Sequence, residues 1–237
     1  DEAVKIGITC YQTHGGSGVV ATELGMELAK RGHEVHFISY ALPFRLKQFQ
    51  ENVIFHEVQM LAYPLFQYPP YTLALAAKLA EVADEVELDV LHAHYAVPHA
   101  VCAYLARMVS HSEKLKIVTT LHGTDITLVG ADPSFRTLTR FGIEQSDGVT
   151  AVSRYLKEKT LEVFGLTREI EVIPNFVDTA RFAPRQGGPC NRSHFARKDE
   201  RNLLHISNFR SSKRVEDVVR VFAAVRREVP SRLLMVG

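Results

Sequence analysis

A succession of short apolar runs separated by helical sequence leaves this chain few ways to fold. VKIGITCY, HEVHFISY, LDVLHAHY, KIVTTLHG, GVTAVS and EIEVIP read as strands, several of them almost continuously apolar. Continuous runs of this kind suit a parallel sheet covered on both faces, because neither side of the strand meets water. Between them, residues 19–32, 71–86 and 99–112 repeat apolar side chains at helical spacing, and Gly32 supplies a helix stop. This βαβ rhythm predicts an α/β fold with a doubly wound parallel sheet of the Rossmann type. In such sheets ligands sit outside the carboxyl ends of the strands.

The rhythm breaks once. RFAPRQGGPCNRSHFARKDERN is rich in Gly, Pro and charge and reads as a linker or loop. NLLHISNF, a helix from about 213 to 228, and RLLMVG then restart the pattern. The expected organisation is one domain over 1–184, a linker over 185–200, and over 201–237 the start of a second Rossmann-like domain that is incomplete at residue 237. A length of 237 residues agrees with one to two domains. With 46% hydrophobic residues, the chain can bury a core. A formal charge of +1 provides no global field for nucleic acid or an anionic membrane, so any anion site must be local. No apolar run reaches the roughly 20 residues of a membrane span, and no signal-like start is visible; the expectation is a cytoplasmic protein. Cys10, Cys102 and Cys190 are widely spaced and lack CxxC geometry, which argues against a disulfide framework and a thiolate metal site.

Four stretches sit where such a sheet collects chemistry. THGGSG follows the first strand and opens a helix, so Gly16 and Ser17 stand where backbone N–H groups and a positive helix end can receive an anion. The same glycines also serve a plain tight turn. Gly16-x-Gly18-x-x-Ala21 has the spacing of a dinucleotide fingerprint, but Ser39 and Tyr40 stand where a ribose-binding acid belongs, and no GK[ST] follows for a Walker loop. His92 and His94 lie two apart on one strand face, a spacing open to metal binding or to hydrogen bonding at a strand end. TTLHGTDI sets Thr119, Thr120, His122 and Asp125 at a strand–loop junction, where His122 is either a satisfied core imidazole or a working one. SNFRSSKR carries Asn208, Arg210, Lys213 and Arg214, either a solvated basic helix start or cations for a diphosphate.

VTAVSRYLKE followed by EVIPNFVDTARFAP resembles the strand-end serine and IPNGVDxxxFxP element of glycosyltransferase family 4, retaining sugar-nucleotide transferases of GT-B fold. GGSG, DVLHAHY, the HGTD loop and SNFRSSKR match in the family's order, and the resemblance covers essentially the whole chain. Within the family, ITCYQTHGGSGVVATELG, LPFRL, FQYPPY, HYAVPHA, TTLHGTDIT and HISNFRSSKRVEDVV resemble members that join N-acetylglucosamine to L-malate for bacillithiol assembly. The resemblance implies transfer from UDP-N-acetylglucosamine to the malate hydroxyl with retention, giving an α-linked product. It implies Gly16, Ser17, Arg210 and Lys213 at the donor phosphates, and Ser17, Tyr95, Thr119, Thr120, Asn208 and Arg210 at the acceptor. His122 lines the donor sugar; Asp125 orients its loop or binds a sugar hydroxyl. With two cations on the leaving diphosphate, no metal or other cofactor is expected. No nucleic acid or membrane partner is expected; a homo-oligomer is possible.

Two departures qualify the match. Asn208 stands where the family usually has Arg, with Arg210 displaced by two, and the family's later paired-glutamate motif has no counterpart before Gly237. The alternatives are therefore a related retaining transferase with another sugar nucleotide or an inositol phosphate acceptor, or an inactive acceptor-binding module.

Overall fold

The computed structural model describes residues 2–12, 16–61, 63–183, 192–195 and 197–237. Half of the expected linker, residues 185–191 and 196, and the first part of the glycine turn, residues 13–15, lie outside the described residues. The chain divides into two compact units, Asp1–Phe176 and Val177–Gly237.

The first unit is built on a seven-stranded sheet in the order β3-β2-β1-β4-β5-β6-β7, with every neighbouring pair parallel. Its strands are β1 (Lys5–Thr9), β2 (Glu34–Ser39), β3 (Val53–Glu57), β4 (Val90–His94), β5 (Lys116–Leu121), β6 (Gly148–Ala151) and β7 (Glu171–Val172). The helices are α1 (Ser17–Lys30), α2 (Tyr71–Val86), α3 (Val101–Val109), α4 (Pro133–Gln145) and α5 (Arg154–Phe164). Strands β1 and β2 are buried along nearly their whole length, as their continuous apolar sequence requires. Leu75, Leu79 and Val82 of α2 and Cys102, Ala103 and Ala106 of α3 pack with Leu91, Ile117 and Ile38 in one core cluster. Ala21 and Ala29 of α1 belong to a second cluster with Ile8, Val35 and Phe37. Helix α1 approaches closely because Gly25 has no side chain: a Cβ there would come within 2.4 Å of the Phe37 ring.

Three features escape the apolar-run reading. Strand β3 lies at the sheet edge and is only partly buried, so VIFHE carries no long apolar run. Helix α4 starts on Asp132, whose carboxylate accepts from the Ser134 N–H at 2.9 Å, with Pro133 in the first turn. Helix α5 is capped by Ser153 and ended by Gly165 in the left-handed region. Both helices are polar overall, so their start and stop signals outweigh their periodicity. The helix expected over 99–112 is divided: a π turn, Ala96–Ala100, with Val97 extended, precedes α3.

The second unit contains the short helix α6 (Arg192–Phe195), the parallel pair β8 (Arg201–Ile206) and β9 (Ser231–Val236), and helix α7 (Val215–Glu228). Leu204, Ile206 and Val221 are exposed. Among the described residues, no helix is long and apolar enough to cross a membrane.

Candidate active site

In the first unit the strand order reverses between the adjacent strands β1 and β4, from which the chain proceeds toward opposite edges of the sheet. Their connections leave a crevice at the carboxyl ends, the place an open α/β sheet offers a ligand. The residues that follow β1 (Tyr11, Gln12, Gly16, Ser17), β4 (Tyr95 to His99) and β5 (His122 to Asp125) form this end of the sheet.

Gly16 immediately precedes α1 with φ 68° and ψ −138°, and a Cβ there would meet nothing within 4 Å. The position therefore needs glycine for its backbone angle and not for space. Ser17, the first residue of the 14-residue helix, is buried. The helix offers its positive end here.

Tyr95 follows β4 with φ 93° and ψ 134°, a conformation that a residue with a Cβ rarely adopts. Its neighbours hold it there. The Tyr95 N–H donates to the Thr120 carbonyl at 3.0 Å, and its hydroxyl pairs with Thr124 Oγ1 at 2.9 Å. Its ring stacks on His122 at 5.5 Å and meets Tyr11 edge-on at 5.3 Å. Tyr11 in turn lies edge-on to His99 at 4.6 Å.

A cluster of imidazoles lies beside it. His94 Nδ1 and His122 Nε2 share a hydrogen bond of 2.9 Å, and His99 Nδ1 donates to the His94 carbonyl at 2.7 Å. Burial holds His92, His99 and His122 down to about 4 and His94 well below the usual imidazole range. All four are neutral at pH 7. His92 Nε2 pairs with Thr120 Oγ1 at 2.7 Å, and Thr120 Oγ1 with Thr150 Oγ1 at 2.8 Å, a polar row across β4, β5 and β6. Thr119 points to the opposite face of β5, as alternation requires. Its hydroxyl bonds Ser146 Oγ at 2.8 Å, and Ser146 donates to the Gly142 carbonyl at 2.8 Å. The two threonines are thus not brought to one surface.

Asp125 is fully buried, and its carboxylate accepts from the N–H groups of Gly123 at 2.8 Å, His122 at 3.1 Å and Ala96 at 3.3 Å. Burial lifts its pKa to about 6, against the pull of these backbone donors. The carboxylate joins the loop after β5 to the turn after β4, and so sets the position of His122.

Tyr11, Gln12, Thr9 and His99, which sequence reasoning left unassigned, lie at the same end of the sheet. Thr9 Oγ1, Gln12 Oε1, His94 Nε2 and His99 Nε2 are buried without a hydrogen-bond partner among the described residues. Tyr11 and Gln12 follow the first strand directly, so their distance from its end was the available signal. Ser39, in the ribose-acid position of the dinucleotide pattern, donates to the Ala41 carbonyl at 2.9 Å. Arg45 forms an ion pair with Glu23 at 2.9 Å. Among the described residues, no group of three or more His, Cys, Asp or Glu side chains could hold a metal ion.

In the second unit, Asn208, Arg210 and Lys213 are all exposed on the segment between β8 and α7. The Arg210 N–H donates to the Asn208 carbonyl at 2.7 Å and the Lys213 N–H to the Arg210 carbonyl at 2.9 Å, which folds the basic segment into one turn. Arg214 is paired with Asp217 at 2.5 Å. Among the described residues, Arg210 and Lys213 form no ion pair, which leaves two cations available to an anion. Lys213 also lines a groove of about 520 Å³ with Leu204, His205, Asp217 and Phe222.

Comparison with known proteins gives this arrangement a context. The family model for Glycosyltransferase Family 4 matches residues 14–181. The chain is 55% identical over 234 residues to the N-acetyl-alpha-D-glucosaminyl L-malate synthase of Bacillus anthracis, covering 99% of this chain and 61% of that protein. It is 27% identical over 173 residues to a GDP-mannose-dependent alpha-(1-6)-phosphatidylinositol monomannoside mannosyltransferase of Mycolicibacterium smegmatis, covering 70% of this chain and 44% of that one. Among solved structures, a glycosyltransferase from Rickettsia africae superposes with a TM-score of 0.71 at 18% identity, covering 100% of this chain and 69% of that one. The fold is of the GT-B type. The chain spans between two fifths and two thirds of the length of these two curated relatives.

Proposed function

Because this chain belongs to glycosyltransferase family 4, we propose that it serves the transfer of N-acetylglucosamine from UDP-N-acetylglucosamine to the hydroxyl of L-malate, with retention at the anomeric carbon. The 55% identity to the B. anthracis synthase, sustained over 99% of this chain, carries the reading. The 27% match to the mannosyltransferase is weaker and shorter.

Each unit contributes in a way its chemistry supports. L-Malate is a small dianion, and anions are stabilised by hydroxyls, helix N-termini and cations. In the first unit these are the Ser17 end of α1, the Tyr95 hydroxyl and the Thr120 hydroxyl; in the second, Asn208 and Arg210. Thr119, bonded to Ser146 on the other face, supports the strand behind them. Arg210 and Lys213 in the second unit, and Gly16 and Ser17 in the first, are each suited to neutralising a diphosphate as the anomeric C–O bond breaks and charge grows on the leaving oxygen. His122, held by Asp125 and His94, lines the donor sugar. A double-displacement route needs a carboxylate beside the anomeric carbon. Asp125 does not suit that part, since three backbone N–H groups occupy its buried carboxylate. The reading therefore favours front-face substitution, in which the departing phosphate takes the proton of the malate hydroxyl. A cytoplasmic reaction is part of this reading.

The test is incubation with UDP-N-acetylglucosamine and L-malate without added metal, following UDP release and the mass of the adduct. N-Acetylglucosaminyl malate is the expected product. Product only from GDP-mannose, or only with an inositol phosphate acceptor, would replace this reading with the related-transferase one.

A further inference from the structure

Resting on the reading of His122 as the side chain that faces the sugar donor, we propose that His94 is a positioning residue that decides which ring nitrogen of His122 carries the proton. Two imidazoles share a single hydrogen bond, between His94 Nδ1 and His122 Nε2 at 2.9 Å. Both rings are neutral, so one nitrogen of this pair must donate and the other accept.

The surroundings of His94 choose between the two arrangements. The ring is fully buried and its Nε2 has no partner among the described residues. If His94 accepted at Nδ1, its proton would sit on Nε2 and leave a buried N–H unsatisfied. Orphaned buried N–H donors are rarer than under-used acceptors, because the donor loses its one hydrogen bond outright. The favoured arrangement has His94 donating from Nδ1, with only a lone pair left at Nε2. His122 Nε2 is then the acceptor, and the proton of His122 resides on Nδ1.

His99 follows the same rule without ambiguity. Its Nδ1 lies 2.7 Å from the His94 carbonyl, which can only accept, so His99 is protonated at Nδ1 and its buried Nε2 is likewise a bare lone pair. The same bond orders the His94 backbone from behind. His122 is also confined between two rings, stacked on His94 at 5.2 Å and on Tyr95 at 5.5 Å. The consequence is chemical. Nδ1 of His122 offers an N–H to the ligand and no lone pair, so it hydrogen-bonds a sugar or leaving-group oxygen and cannot act as a general base.

The experiment is long-range proton–nitrogen correlation spectroscopy on the full chain labelled with [15N]histidine at neutral pH. The His122 ring is assigned by its disappearance in His122→Gln. The expected spectrum has a protonated, pyrrole-like Nδ1 and a pyridine-like Nε2 for His122. His94→Asn keeps a donor near the Nδ1 position and preserves this pattern; His94→Leu removes it and lets the His122 tautomers mix. A proton on Nε2 in the wild-type protein, or an unchanged His122 pattern in a folded His94→Leu protein, would overturn the proposal. Where His94→Leu does not fold, the wild-type and His94→Asn spectra decide. No substrate is needed, so a chain that transfers nothing to malate still gives the answer.

Discussion

Tyr95 shows how much of this site is enforced on single residues. Its positive φ costs on the order of 1–3 kcal/mol for a residue with a side chain. It is offset by the Thr124 hydrogen bond, the stacking on His122 and the edge-on contact with Tyr11. The proposed roles make distinct expectations at this scale. His122→Ala should lower turnover by at least tenfold, about 1.4 kcal/mol of transition-state stabilisation, with malate affinity nearly unchanged. Ser17→Ala and Thr120→Val should instead weaken malate binding; steady-state kinetics in both substrates separates the two effects. An unchanged malate KM in both variants would remove Ser17 and Thr120 from the acceptor site. At this scale the sequence exposed the identities but not the partners. His122, Asp125 and Thr120 were legible because strand ends collect chemistry in α/β sheets. That Asp125 accepts from three N–H groups, and that Thr119 turns to Ser146, depended on which way each side chain points.

Helices and strands differ in how plainly they announced themselves. Strands β1 and β2 and helix α2 carry long apolar signals because they are buried in the core. Edge strand β3 and the polar helices α4 and α5 do not, since half or more of each element meets water. Gly25 gives an element-scale prediction. In an exposed helix, Gly→Ala gains about 1 kcal/mol in propensity. Here the new Cβ would press on Phe37 and Ile8, which are both fully buried. Overpacking of this kind costs about 1–3 kcal/mol, so thermal denaturation of Gly25→Ala should show a lower Tm than wild type. A rise would mean that α1 can shift away from the sheet at little cost.

For the whole molecule, the neutral imidazoles make stability depend on pH. Unfolded, His92, His99 and His122 titrate near 6.5; folded, near 4. Between those values the unfolded chain binds more protons, so their contribution is present above pH 6.5 and is lost as the pH falls toward 4. Each imidazole withdraws about 1–2 kcal/mol by pH 5. Asp125 works the other way, because its folded pKa is raised from 3.8 to about 6 and the folded state takes its proton first. Several imidazoles outweigh one carboxyl, so the Tm should fall between pH 7 and pH 5. A Tm that holds or rises over that range would show that the imidazoles are not buried as a neutral cluster.

What the amino-acid sequence determined alone was the α/β class, the order of most elements and the strand ends at which the candidate residues gather. These follow from local periodicity and from glycine, proline and capping residues, which act within a few positions of the chain. Only the tertiary structure decided the pairing of His94 with His122, the separation of Thr119 from Thr120, and the joining of two loops through Asp125. Those contacts link residues up to 29 positions apart along the chain. They depend on strand register and on burial, which raises the cost of an unpaired polar atom and thereby selects each hydrogen-bond partner.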